Sequence, residues 1–446
     1  MIEREIERVV DLVDPLVNRI HNMSLQEARA RVARGSPDDV LEIDGSFALV
    51  AREGEAVRLA RSLDRPLRYF LAKRSEGPAL VASDRIDAIH EFLESEGLGG
   101  QFHPSYTRMV PAHHVVEVRL VGCPDPDADY KRFFTPPRGT APAEPEALGR
   151  RYVAALVDEI GKWLTSLPES EPIGVCFSGG VDSGAVFLVT YHLLGRLGGN
   201  PGRLKAFTLS LGGGEDLDQA RRFLQQLDLE MFLEPIEARP GDLDPFEAVR
   251  VMEDYKPLDV ECAAMALALC RGIRARYPQW RHLVDGDGGD ENLKDYPIEE
   301  NPELTIRSVL NNPLLYQEGW GVGRMKHSLT YSGGHSRSYT RTYAPLRRLG
   351  FTGFSPFTRP RVIEAAEDIP FAALTGGDHQ KLYALKGEIV SLGVQALTGR
   401  RMPVFPKRRF QQGALPPGEL PRRFPFREAD YRMHFLSRYA SRPNSS

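Results

Sequence analysis

The run Val175-Cys176-Phe177-Ser178-Gly179-Gly180-Val181-Asp182-Ser183 constrains the chain more than any other. An apolar stretch, Ile173 to Phe177, enters a turn of small residues, and a helix-like stretch, Ala185 to Leu194, leaves it. Strand, Ser/Gly loop and helix in that order leave backbone N–H groups and hydroxyls open at the positive end of a helix dipole, a cradle for a phosphate chain. Asp182 lies inside the loop, where a lone carboxylate would repel phosphate. It makes sense there if it holds a Mg²⁺ that bridges to the phosphates. No Gly-Lys-Ser/Thr follows, so the loop is not a Walker A sequence. The bland alternative is a tight strand-to-helix turn with no ligand.

The chain has 446 residues, enough for two ordinary domains or one large domain with an appendage. Hydrophobic residues at 41% and charged residues at 26% suit a soluble globular protein, and a formal charge of −4 does not favour nucleic acid. There is no run of about 18 apolar residues, and Met1-Ile2-Glu3-Arg4-Glu5 opens the chain with polar groups, so neither a membrane span nor a signal peptide is expected. Cys123, Cys176, Cys262 and Cys270 form no metal-spaced pair and no disulfide framework, which fits a reducing cytoplasm.

Residues 1–34 read as helical, with apolar positions at Ile6, Val9, Val10, Val13 and Val17. A strand-rich region begins at Asp44-Gly45-Ser46-Phe47-Ala48. A Pro/Ala-rich linker follows Thr135, and a helix from Leu148 to Leu164 leads to the phosphate-loop strand. Strands at 205–211, 231–236 and 282–284 then alternate with helices at 217–226 and 262–276, the pattern of a parallel sheet with its site at the C-terminal strand ends. Residues 300–395 read as mostly helical, and the tail from Pro416 has weak periodicity. The boundaries expected are residues 1–134 for a first domain, 135–147 for the linker, 148–415 for a second domain built around the phosphate loop and 416–446 for a Pro/Arg-rich tail.

After the Val284 strand end comes Asp285-Gly286-Asp287-Gly288-Gly289-Asp290-Glu291. Acidic groups among flexible glycines suit a hard cation, although a solvated acidic turn would read the same way, and the EF-hand spacing is absent. A late basic segment, Pro403 to Gly413, contains Lys407-Arg408-Arg409-Phe410. Arginines continue to Arg442, either as a solvated surface or as a dock for an anionic partner.

The loop from Ser178 to Ser183 resembles the SGGxDS pyrophosphate loop (PP-loop) of the ATP pyrophosphatases, and the acidic run resembles the second motif of the asparagine synthetase family, Ser-Gly-Glu-Gly-Ser-Asp-Glu. The resemblance implies an adenine nucleotide α hydrolase-like α/β fold, with a PP-loop parallel sheet flanked by helices. It implies ATP as substrate and Mg²⁺ as cofactor, with attack on the α-phosphate, an acyl-adenylate, pyrophosphate release and transfer of the acyl group to an amine. Ser178, Gly179, Gly180, Val181, Asp182, Ser183 and Gly286 would bind the phosphates, Asp182 and Asp290 would hold Mg²⁺, and backbone near Thr208 and Leu209 would hold adenine. Asp287 falls where the family has Glu, or Tyr in the β-lactam synthetase branch, which makes it a candidate for contacting the nucleophile or its proton. Lys407 falls on the lysine of the family's R-x-K-x-x-F segment, where it would stabilise charge in both steps.

Two departures stand out. The glutamate of the β-lactam synthetase base dyad falls on Thr352, and the Asp after Pro-Phe is replaced by Thr358 and Arg359. The first domain resembles a truncated, degenerate class II glutaminase of the α+β Ntn type. Ala60-Arg61, Ala82-Ser83-Asp84 and Val110-Pro111-Ala112-His113-His114 match its second half, but Ile2 stands where the nucleophilic Cys would be. The expected function is therefore an AMP-forming amide ligase without its own glutaminase, acting on small-molecule or peptide carboxylates and amines. The N-terminal domain would offer an interface for a homodimer or a partner protein. A PP-loop sulfurtransferase using Cys262 or Cys270, or a non-catalytic ATP-binding scaffold, is the alternative.

Overall fold

The computed structural model describes residues 8–73, 79–119, 128–295, 310–318, 335, 342–406 and 413–440. In the first third, successive strand residues point to opposite faces, and the central strands Ala56–Arg61, Arg68–Ala72 and Ala79–Ser83 bury apolar side chains on both. One sheet has the order β1 (Arg8–Asp11), β7 (Ala79–Ser83), β6 (Arg68–Ala72), β8 (Arg108–Met109). A second has the order β10 (Ala128–Arg132), β9 (His114–Arg119), β5 (Ala56–Arg61), β4 (Ala48–Glu53), while β2 (Arg19–Ile20) and β3 (Gly45–Ser46) form a separate short pair. Val50, Val57, Leu59, Tyr69, Leu80, Ala82, Val116 and Val118 fill the space between the two sheets. Their neighbours Leu49, Ala60 and Val115 point the other way, with Ala28 and Val32 of helix α1 (Leu25–Arg34). Phe70, Ala72 and Val81 likewise meet Ile86, Ile89 and Leu93 of α2 (Ile86–Ser95). The result is an α+β sandwich of four layers.

The expected helix over residues 1–34 is a correction. Arg8–Asp11 pairs parallel with β7, and Pro15–Val17 is a single 3-10 turn, so the helix begins only at Leu25. Adjacent β-branched Val9 and Val10 favour the strand, and Asp14-Pro15 breaks any helix before it starts. Ser24 and Glu27 form the capping box that opens α1, and Gly35 closes it in the left-handed conformation.

The second part carries a five-stranded, all-parallel sheet in the order β13 (Leu233–Glu237), β12 (Leu204–Ser210), β11 (Ile173–Cys176), β14 (His282–Val284), β15 (Thr352–Phe354). The fold is that of a mixed α/β domain with helices on both faces. On one face lie α3 (Pro145–Thr165), α4 (Val181–Arg196), α9 (Pro360–Glu367) and α10 (His379–Thr398). On the other lie α6 (Pro245–Met252), α7 (Pro257–Arg276), α8 (Ala344–Arg348) and α11 (Glu428–Ser437), which share a core with α2 of the sandwich. Helix α5 (Asp216–Gln225) follows β12. The residues after Pro416, which read as a weakly periodic tail, fold back here: Tyr431 and Phe435 of α11 are buried in that shared core. The Pro/Ala-rich stretch after Thr135 lies along the end of α9, where Gly139 and Ala141 donate to the carbonyls of Glu367 and Asp368. Among the described residues, no helix is long and apolar enough to cross a membrane.

Where α3 crosses α10, Gly149 and Gly393 face each other, and a Cβ on either would run into the partner's backbone. Gly393→Val is therefore expected to lower stability by about 1–3 kcal/mol through overpacking. Gly161→Ala, with open space on the same helix α3, is expected to be neutral or to stabilise by about 0.5–1 kcal/mol. Chemical unfolding of the two variants checks the contrast.

Candidate active site

The chain leaves β11 towards β12 and β13 and then returns to β14 on the other side, which places the switch point of the sheet between the C-terminal ends of β11 and β14. Ligands in open parallel sheets bind at that crevice. The Ser/Gly loop follows β11 and the acidic loop follows β14, so topology brings together two segments far apart in sequence. Glycine lets them touch. A Cβ on Gly286 would sit 2.9 Å from the Ser183 N, and one on Gly289 would overlap the Asp182 carboxylate.

The phosphate loop is held from within. Ser178 N donates to Ser183 Oγ at 3.3 Å, Gly180 N donates to Ser178 Oγ at 3.3 Å, and Gln219 Nε2 donates to Ser178 O at 3.2 Å. Gly179 has φ 71°, and a Cβ there would stand 2.9 Å from the Ala220 backbone, so both conformation and space require glycine. Gly180 caps α4 without a side-chain acceptor and Val181 opens the helix, so among the described residues no capping side chain takes the first-turn amides.

Asp182 and Asp290 converge on one ammonium group. Lys386 Nζ donates to Asp182 Oδ2 at 2.6 Å, pairs closely with Asp290 and lies 3.5 Å from Asp295 Oδ2. Lys386 is 5% exposed, whereas 45% of the Asp290 side chain reaches solvent. Burial pushes the Asp182 carboxyl up to about 7; Lys386 pulls against that rise and Asp290 adds to it. Although burial opposes its charge, Lys386 is held well above the usual lysine range by Asp182 and Asp290. Asp182 Oδ1 is buried against Gly289 and has no hydrogen-bond partner among the described residues, which leaves a hard oxygen ligand open. Among the described residues, no group of three or more His, Cys, Asp or Glu side chains forms a ready metal cage. Two carboxylates and a phosphate chain are, however, a usual set of Mg²⁺ ligands, so these residues fit that ion.

Asp287 lies on the same loop and accepts a close hydrogen bond from Thr342 Oγ1. Asp285 is buried; Ser355 Oγ donates to it at 3.0 Å, and burial, reinforced by Asp287, pushes its carboxyl well up. Thr208 and Leu209 lie inside the sheet. The Thr208 hydroxyl donates to Phe177 O at 2.7 Å and so supports the phosphate loop from behind, and the Leu209 side chain is core. Lys407 falls outside the described residues. Thr352 pairs with His282 at the start of β15, the sheet end away from the acidic loop. Arg359 is buried and turns to the sandwich: its Nε donates to Glu159 at 3.2 Å and its Nη1 to Ser46 Oγ at 3.0 Å. His113 packs against Phe134 and is held well below the usual histidine range by burial, a core position rather than a base.

Sequence reasoning missed Lys386. A signal was present: the lysine interrupts the apolar stripe Leu382, Leu385, Ile389, Val390 on α10, and a charge on a buried face implies a buried partner.

The turn from α6 to α7 lies at the same end of the sheet. Asp254 Oδ1 accepts from Tyr255 N at 2.6 Å and Lys256 N at 3.0 Å, while its Oδ2 is buried with no hydrogen-bond partner among the described residues. Burial pushes this carboxyl up to about 6, with Lys256 opposing. The folded-state value lies above the unfolded one, so the native chain holds the extra proton and stability falls as pH rises from about 4 through 6. Asp254→Asn keeps the turn acceptor. It is expected to flatten that slope and to add up to about 3 kcal/mol at pH 7, read by urea unfolding at pH 4.5 and 7.5.

Residues 165–352 match the family model described as asparagine synthase, an interval that holds both loops and all five strands of the parallel sheet except the last two residues of β15. Comparison with curated proteins gave no match. Among solved structures, NMN synthetase from Francisella tularensis shares 13% identity over 58% of this chain and 99% of that chain, with a TM-score of 0.23, too low to bear on the site. The family match supports an asparagine synthetase-like, ATP-using assignment for the parallel-sheet half, and the sheet is consistent with a PP-loop synthetase fold.

Proposed function

We propose that this chain is an ATP-dependent ligase that adenylates a substrate carboxylate and passes the acyl group to an amine. One observation carries the reading: the phosphate loop and the acidic loop meet at the switch point of the sheet, with Asp182 and Asp290 sharing Lys386.

The amides at the start of α4 and the hydroxyls of Ser178 and Ser183 hold the β and γ phosphates and leave the α-phosphorus open. A carboxylate oxygen of the substrate attacks that phosphorus, the bond to the bridging oxygen breaks, and pyrophosphate leaves. The amine then attacks the acyl carbon, AMP departs, and the amine proton passes to Asp287 or to solvent. Lys386 keeps the two carboxylates in place and adds positive charge beside the leaving pyrophosphate, and Lys407 retains the role that the resemblance gives it. Mg²⁺ held by Asp182 and Asp290 would offset phosphate charge and polarise the phosphoryl oxygens. The N-terminal sandwich supplies no ammonia in this reading, so the amine arrives from outside. A thiolate route through Cys270 is weaker, because burial pushes its thiol well above the usual range.

The test is exchange of labelled pyrophosphate into ATP in a panel of carboxylic acids without amine. Exchange that depends on the acid supports adenylation before amine attack; label that stays out of ATP with every acid, while ATP is still consumed, refutes it.

A further inference from the structure

A second charged cavity lies away from both loops. About 380 Å³ in volume, it is lined by Arg85, Asp87, Glu247, Arg250, Val251, Ala344, Arg347, Arg348 and Arg438. Five arginines and two carboxylates line it, and three further carboxylates, Glu253 beside Arg85 and Asp84 and Asp14 beside Arg347, neutralise two of those arginines from its edges. Both carboxylates are already engaged: Asp87 with Arg85, Arg438 and the Tyr439 hydroxyl, and Glu247 with Arg271. Arg347 is committed to Asp84 and Asp14. Arg250 and Arg348 make no side-chain hydrogen bond or ion pair among the described residues, and Arg438 Nη1 is buried with no hydrogen-bond partner. Two solvent-exposed guanidinium groups beside the buried, unpaired Nη1 of Arg438 leave donors open to an anion.

We propose that this cavity binds a small phosphate-class anion, either orthophosphate or the phosphate group of a small ester. Several guanidinium forks converging from four segments suit a tetrahedral anion with many acceptor oxygens better than a flat carboxylate. The hollow is too small for a nucleic-acid backbone, and the chain's formal charge of −4 gives a polyanion no long-range attraction. The arginines come from the sandwich (Arg85), from α6 and α8, and from the C-terminal segment (Arg438), so a bound anion would tie these pieces together. This site does not depend on the proposed ligase reaction.

The experiment is calorimetric titration and thermal unfolding of the full chain with inorganic phosphate and with glycerol 3-phosphate, at ionic strength fixed by KCl. Wild type and Asp182→Ala are both expected to bind and to gain thermal stability. Arg250→Ala/Arg348→Ala, at two exposed positions, is expected to bind roughly tenfold more weakly or worse while its circular dichroism is unchanged. Tighter binding of the ester assigns the site to a metabolite; equal or tighter binding of phosphate assigns it to the free ion. Three results would overturn the proposal: no binding of either probe, binding lost in Asp182→Ala but kept in the arginine double variant, or an equal stabilisation by KCl alone.

Discussion

Lys386→Met is expected to remove ATP turnover and lower stability in one step. Methionine keeps the length and apolar stem of the side chain, so α10 stays packed and only the charge is lost. Asp182, Asp290 and Asp295 then face one another without the ammonium group they share. Removing one partner from a buried ion pair costs about 3–5 kcal/mol, and the exposure of Asp290 puts this variant at the lower end. Loss of a fixed positive group beside a departing pyrophosphate costs roughly a hundredfold or more in rate. Added Mg²⁺ should raise the unfolding midpoint of the variant more than that of the wild type, because the ion can replace the missing charge. Wild-type turnover and stability in Lys386→Met would mean that the two carboxylates do not act as a pair.

The second large effect is expected at Glu253, at the join between the two halves. Glu253 ends α6 with φ 53° and is fully buried. Its carboxylate accepts the N–H groups of Ile86 and Asp87, both at 2.9 Å, and so caps α2 of the sandwich from the other half of the chain. It also pairs with Arg68 at 3.3 Å and Arg85 at 3.2 Å. Glu253→Ala removes this carboxylate from Arg68, which is 1% exposed, and so breaks a buried ion pair. A loss of about 3–5 kcal/mol follows, and the two halves should unfold in separate transitions rather than one. Glu253→Gln keeps an acceptor for the helix N-terminus and should lose less. A Glu253→Ala chain that melts like wild type would show that the shared apolar core alone joins the halves.

The parts of this architecture that were legible in the sequence are local. Strand, Ser/Gly loop and helix follow one another around Ser178–Ser183, and the acidic loop directly follows a strand, so both could be placed at strand ends before their contact was known. Their meeting at the switch point followed from the alternation of strands and helices. Lys386 was not legible in this way, because its partners lie 204 and 96 residues away and only the fold brings α10 across them. The first strand was misread because Val9 and Val10 also fit a helical stripe, and pairing with β7, some 70 residues later, decided the outcome. Arg359 shows the same limit. In the family pattern it marks only a departure, the Asp missing after Pro-Phe, whereas in the structure it bonds Glu159 and Ser46 and joins the two halves.

The deciding measurement is product analysis of ATP turnover in a pool of cellular metabolites, with Asp182→Ala as the control. The expected result is AMP and pyrophosphate in equal amounts, absent in the variant, with a new amide whose mass names both acid and amine. ADP and orthophosphate as products, or AMP formation that survives in Asp182→Ala, would contradict it.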